Sequence, residues 1–444
     1  MTIFPRARSN SRSRFVAAVL WLCAGSGLWV SAAQAQLRLD ITQGVRDAVP
    51  IAVVPFGGQA EGGPSDIAAI VSGDLRLSGR FAPLDRQDMV ARPTTGQEIR
   101  FQDWRLLKSD YLVVGRLNSK GGGSAVDFEL FNVQTGQQLL ADSIPVVGQG
   151  QRAAAHRIAD LVFERLTGIP GAFSTRIAYV SVAGTPPTQR YRLVVSDADG
   201  YNQRTVTESG EPLMSPSWSP DGQSLAYVSF ETKTSAIYVQ RLATGERRRV
   251  SARSGINGAP AFSPDGQRLA ITLSRDGNLD IYVLELATQS LTRMTSDEAI
   301  DTEATWTPDG RSLYFTSDRA GSAQIYRMDL DGAKQAQRVT FTNGYNARPR
   351  VSPDGKELAL VTLDRGGYRI GVLDLKTRNL RVLTDGRQDE SPSYAPNGAT
   401  IIYASESRGQ GDLALVSSDG RYQERLRSDS GDVREPAWSP FAPR

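Results

Sequence analysis

The hydrophobic and polar positions of this chain follow two rhythms. Along residues 37–42, Leu-Arg-Leu-Asp-Ile-Thr alternates apolar and polar side chains, the pattern of a half-exposed strand. Ile51–Val54 is an unbroken apolar run and reads as a short buried strand. Ser65–Leu77 and Gln97–Lys108 carry helical spacing, the second with Trp104, Leu106 and Leu107 as its apolar positions. Tyr111–Leu117 and Ala125–Val133 read as strands joined across a turn at Gly121-Gly-Gly-Ser124. A last helix over Arg152–Leu166 places Ile158, Leu161, Val162 and Leu166 on one face and is ended by Gly168. Residues 36–168 are therefore expected to form a small α/β domain, with Thr167–Phe173 as a joint too short to act as a free linker.

Beyond residue 175 a second rhythm takes over. Pro216-Ser-Trp-Ser-Pro-Asp-Gly-Gln-Ser-Leu-Ala-Tyr-Val-Ser229 returns from Pro260, Ala304 and Pro349, and more weakly from Pro392, where Asn397 replaces the aspartate. The central prolines stand at 220, 264, 308, 353, 396 and 440, a period of 43 to 45 residues. That period is one four-stranded propeller blade. Within each unit, Ser-Pro-Asp-Gly is a tight reversal: proline fixes φ, and glycine tolerates a positive φ where the chain re-enters a strand. The reversal separates an aromatic-bearing strand (Trp218, Phe262, Trp306) from the next (Leu225, Leu269, Leu313). The first unit, starting at Arg176, lacks its own aromatic strand, and the last stops at Ala437-Trp-Ser-Pro440. The two incomplete ends are expected to complete one blade and close the ring. The expected fold is thus an α+β N-terminal domain followed by an all-β six-bladed β-propeller over residues 169–444.

The N-terminus changes the charge picture. Arg6, Arg8, Arg12 and Arg14, the apolar run Phe15–Val30 and Ala33-Gln-Ala35 have the three parts of a secretory signal, so cleavage is expected after Ala35. The run is ~16 residues and is interrupted by Gly25-Ser-Gly27, short of the roughly 20 that a spanning helix needs. Losing the four arginines takes Lys+Arg from 51 to 47 against 48 Asp+Glu, and the net charge from +3 to −1. A near-neutral chain has no bulk electrostatic reason to bind nucleic acid or anionic lipid. The one cysteine, Cys23, lies in the apolar run, behind the bulky Leu22 and twelve residues before the cleavage site, which disfavours a lipoprotein reading. The exported chain would then have no disulfide, catalytic thiol or cysteine–zinc site.

Candidate chemistry is sparse. The single histidine, His156, falls on the last helix of the small domain, where packing or hydrogen bonding is the commoner role. No G-x-S-x-G elbow occurs, and ~130 residues outside the propeller cannot house an α/β-hydrolase domain. The Asp-Gly turns match neither the Asp-box nor the EF-hand pattern, and no phosphate loop stands in strand–helix context. Neither catalytic residue, cofactor nor metal is expected. An exported propeller hydrolase or lyase, or a stand-alone ligand sensor, is the alternative reading.

The chain resembles the TolB family of the Tol–Pal cell-envelope system. The resemblance runs through Leu37–Thr42, Pro50-Ile-Ala-Val-Val-Pro-Phe56, the joint Leu166-Thr-Gly168 leading to Phe173-Ser-Thr-Arg-Ile-Ala-Tyr-Val180, and the repeats. It implies a periplasmic, monomeric adaptor whose propeller docks the lipoprotein Pal, a surface that colicins also exploit. Other outer-membrane or peptidoglycan-associated proteins are further possible partners. Pal-type contacts would fall on the loops entering the aromatic strands, at Ile256, Asn257, Ala259, Thr302, Glu303, Asn346 and Glu390. TolA-type contacts would fall on Leu37, Arg38, Leu39, Asp40 and Ile41. Reversing the charge at Glu303 or enlarging Ala259 is expected to weaken Pal binding without lowering stability.

Overall fold

A computed structural model of the chain describes residues 37–43, 48–120, 123–148, 150–407, 409–428 and 431–442. The expected signal segment, with Cys23 and the cleavage site, lies outside the described residues. Among those described, no helix is long and apolar enough to cross a membrane.

Strand β1 (Leu37–Gln43) is followed by β2 (Val49–Val53), helix α1 (Ile67–Leu77), β3 (Phe81–Pro83), α2 (Phe101–Leu106), β4 (Tyr111–Lys120), β5 (Gly123–Asn132), β6 (Gln138–Val146) and α3 (Gln151–Thr167). Five of these strands form one sheet in the order β3-β2-β4-β5-β6, with β2 parallel to both neighbours and the remaining pairs antiparallel. Helices α1 and α3 bury Ile67, Val71, Leu75, Ile158, Val162 and Phe163 against Val53, Val113 and Phe128 of one sheet face. Trp104 and Phe131 cover the other face over Ala52, Leu112 and Val114. Helix α1 starts at Asp66, whose carboxylate accepts the Ala69 amide at 3.1 Å and takes both Arg86 guanidinium nitrogens at 2.6 and 2.7 Å. Gly168 ends α3 in the left-handed conformation, φ 74°.

Two local expectations need correction. The helix expected over 97–108 is broken into a 3-10 turn at Gly96–Glu98 and the short α2. Glu98 turns back to accept the Thr94 amide at 2.8 Å, while the Gly96 amide is tied to Glu129 of β5 at 3.0 Å. Ile99 is extended as a result, and Leu106, one of the apolar residues of that expected helix, is 83% exposed. Gly123 and Ser124, expected in the turn at 121–124, already belong to β5 and pair with Lys120 and Ser119.

The remaining strands form six four-stranded antiparallel blades, one of which gains a fifth strand. In the repeated turns Gly222, Gly266, Gly310, Gly355 and Gly398 have φ between 65° and 73°. The turn aspartates are consumed locally: Asp309 accepts the Thr307 hydroxyl at 2.6 Å and the Arg311 amide at 3.1 Å, which holds its carboxyl below the usual range. The repeated tryptophans join blades. Trp218 and Trp306 donate their indole N–H to the carbonyls of Ala437 and Ala261, one blade back, at 2.9 and 3.0 Å. Asp432–Trp438 is the innermost strand of the blade that contains Arg176–Ala183, with Trp438 opposite Ile177 and Ala437 opposite Ala178. Strand β1 adds to the outer edge of the sixth blade, antiparallel to Gln423–Ser428, with Leu39 opposite Leu426.

Candidate functional site

Each innermost strand runs from a rim loop, down the central channel, to the repeated proline of its unit, in most blades a Pro-Asp-Gly turn. Each also carries a bulge, visible as a register shift against its neighbour, with one non-glycine residue in the left-handed region. These residues are Ser215, Ala259, Glu303, Arg348, Ser391 and Glu435, with φ between 45° and 56°. All six line a channel of about 640 Å³. Two are acids and one is an arginine, so the waist of the channel is charged.

At the waist, Arg348 pairs with Glu303 at 2.9 Å, reaches Glu390 at 4.0 Å and donates to the Ser391 hydroxyl. Glu435 accepts the Ser215 amide, and burial raises its carboxyl against the pull of Arg348. These partners lie on five different blades, so the ring is cross-linked through its own channel.

The residues expected on the rim separate into three kinds. Ile256 is 51% exposed at the tip of its loop, and Ile300 and Phe341 are exposed on neighbouring loops. Thr302 and Glu390 are half-buried at the channel mouth. Ala259 and Glu303 sit lower, in the bulge ring, where Glu303 also accepts the Thr316 hydroxyl at 3.3 Å. Reversing the charge at Glu303 therefore breaks an ion pair, and stability would not be spared. Asn257 and Asn346 are corrections, since both are fully buried. The Asn257 amide accepts Ser251 Oγ at 2.7 Å and the Arg253 amide at 2.9 Å, and donates to the Arg253 carbonyl at 2.8 Å. Asn346 Nδ2 donates to Thr342 O at 2.7 Å and Gln324 Oε1 at 3.0 Å. Their side chains hold the loops from within, with Asn346 Oδ1 left without a hydrogen-bond partner among the described residues. Leu37, Arg38, Leu39, Asp40 and Ile41 lie together on the edge of the sixth blade, opposite residues 424–428.

A second charged cluster joins the small domain to the first blade. His156 Nδ1 lies 2.7 Å from Asp74 Oδ2, and its Nε2 faces Asp199 and Asp197 of the blade at 3.8 and 3.9 Å. Arg152 bonds Asp199 and stacks over the Tyr201 ring at 3.9 Å. Burial lowers the affinity of His156 for its proton, but Asp74, Asp199 and Asp197 outweigh it and hold the imidazolium up to about 9. Burial raises Asp74 to about 6 against the opposing pull of His156. Asp74, His156 and Asp199 are close enough to share a metal ion, yet Asp74 is engaged by the histidine and Asp199 by Arg152, so the cluster is neutralised from within. Sequence reasoning placed His156 in packing and hydrogen bonding but missed its partners, which lie 82 and 43 residues away.

A family model described as the TolB beta propeller domain matches residues 163–442, and one described as the TolB amino-terminal domain matches residues 37–139. The Tol-Pal system protein TolB of Xanthomonas euvesicatoria pv. vesicatoria is 54% identical over 430 residues, spanning 95% of this chain and 98% of the relative. That of Xanthomonas oryzae pv. oryzae is 55% identical over 415 residues, spanning 92% and 94%. Among solved structures, the crystal structure of TolB from Acinetobacter baumannii is similar with a TM-score of 0.86 at 42% identity, covering 91% of this chain and 100% of that one.

Proposed function

Because the chain belongs to the TolB family, we propose that it is a periplasmic, non-enzymatic adaptor of the Tol–Pal system. In this reading the propeller rim binds the lipoprotein Pal and the segment Leu37–Ile41 binds TolA, supporting outer-membrane integrity and constriction of the envelope at division. The observation that carries the reading is the rim: apolar side chains at Ile256, Ile300 and Phe341 stand exposed on successive loops around one channel mouth. Exposed apolar groups ringed by polar ones suit a protein partner. Strand β1 supports the second half, since a strand on an outer edge is held by main-chain pairing that a partner strand could replace.

The test is calorimetric titration of residues 36–444 with the soluble domain of the organism's own Pal. One-to-one binding, weakened at least about tenfold by Ile256→Asp, a loss of ~1.4 kcal/mol or more, is the expected result. Undiminished affinity in the variant would move the contact off this rim. No binding by folded protein would remove the assignment.

A further inference from the structure

One step past the bulge, a second ring of residues lines the channel: Ser217, Ala261, Thr305, Arg350, Ser393 and Ala437. Five are small. The sixth is an arginine, and it stands where the other blades leave space. Among the described residues its one side-chain hydrogen bond runs from Nη1 to the carbonyl of the adjacent Pro349, at 2.9 Å. The nearby acids are already engaged, Glu303 by Arg348 and Thr316 and Glu435 by the Ser215 amide. Among the described residues no carboxylate pairs with Arg350. Burial lowers its proton affinity, opposed by the fields of Glu303 and Glu435.

A guanidinium offers five donors in a planar fork matched to a carboxylate. Leaving most of them without protein partners in a partly desolvated channel is unfavourable unless a ligand or water meets them. The channel, at about 640 Å³, is within the usual range for a small-molecule site. At the waist Glu303, Glu390 and Glu435 outnumber Arg348, so a second negative charge on the ligand would be repelled and an ammonium group attracted.

We propose that the part of the channel between the waist and the repeated turns binds a short zwitterionic peptide, its free C-terminal carboxylate held by Arg350 and its ammonium end toward the acidic side of the waist. The site lies at the opposite end of the innermost strands from the rim loops, so it is separate from the contact proposed for Pal.

Isothermal titration of residues 36–444 with tri-alanine, and with the same peptide as its C-terminal amide, tests this directly. The expected result is saturable binding of the acid, at least about tenfold weaker binding of the amide, and a similar loss in Arg350→Gln with an unchanged melting temperature. Equal binding of acid and amide would overturn the proposal, as would the absence of tri-alanine binding up to about 10 mM. Full affinity in the glutamine variant would overturn it too. Should that variant fail to fold, the comparison of acid and amide on the unmutated protein decides alone.

Discussion

Two blades take a strand from a distant part of the chain, and the two grafts differ. In the first blade, Asp432–Trp438 is the innermost strand and is fastened by side chains as well as by its ladder. Trp438 Nε1 donates to Thr175 Oγ1 at 2.8 Å, the Ser439 hydroxyl accepts the Arg176 amide at 3.0 Å, and the Ser439 amide returns a bond to the Arg176 carbonyl at 2.8 Å. In the sixth blade, β1 is the outermost strand, paired on one side along residues 423–428. One graft closes the ring and the other covers an edge. The inner graft belongs to the stability of the fold, while the outer one is placed where a partner could take it up.

The strongest way to break this comparison is to remove the inner graft. Deleting residues 434–444 is expected to lower the melting temperature by about 10 °C or more, since several kcal/mol of packing and hydrogen bonding go with it. An unchanged calorimetric trace would mean that the ring does not depend on its closing strand.

Next in size is the junction of the small domain with that same first blade. His156→Ala removes a buried cation from among Asp74, Asp197 and Asp199 and is expected to destabilise by about 3–5 kcal/mol. The calorimetric transition should split as the two parts uncouple, and a single unshifted peak would deny the junction its role. The pH dependence carries the same signature. The folded His156 is raised from 6.5 to about 9, so its stabilisation is complete below pH 6.5 and is lost as pH rises through about 9. Asp74, raised from 3.8 to about 6, likewise favours the folded state at low pH and loses that contribution as pH rises through about 6. The stability difference between the wild type and His156→Gln should therefore shrink between pH 6.5 and 9, measured by denaturant titration.

A smaller change sharpens the picture. Trp438→Phe leaves Thr175 without the indole N–H and should cost about 1 kcal/mol. The smallest effect is expected for the outer graft: deleting residues 37–43 should shift the melting temperature by no more than about 4 °C. Amides along 423–428 should then exchange faster with deuterium, and unaltered exchange there would mean that β1 does not cover this edge in solution.

The propeller was the more legible half of the chain. The proline recurs in every unit, and the aspartate, glycine and aromatic in most, at one spacing, so the turn chemistry is stated several times over. The small domain states each of its elements once. There Glu98, a good helix former, bonded backward and broke the expected helix, and the edge strand β6 and the three-residue β3 carry too little periodicity to be seen. The candidate site divides in the same way. The loops that surround the channel mouth were visible from the repeat, but the burial of Asn257 and Asn346 was not, because a polar residue in a loop looks the same whether it faces outward or staples its own backbone. Arg350 was not singled out in the sequence, although it is the odd residue in a column of small ones, because its isolation depends on Glu303 and Glu435, which stand 47 residues before it and 85 after.

The pairing of β1 and of Asp432–Trp438 with distant partners also sets an order of events. A chain that emerges from its N-terminus makes residues 176–209 early, but the innermost strand they need lies far downstream, at Asp432–Trp438. The first residues of the described chain must likewise wait for residues 423–428. Domains commonly fold as they are made, whereas the first blade of this ring lacks its innermost strand until residues 432–438 have been made. Its topology acts as a clock that holds the ring open until that strand has arrived.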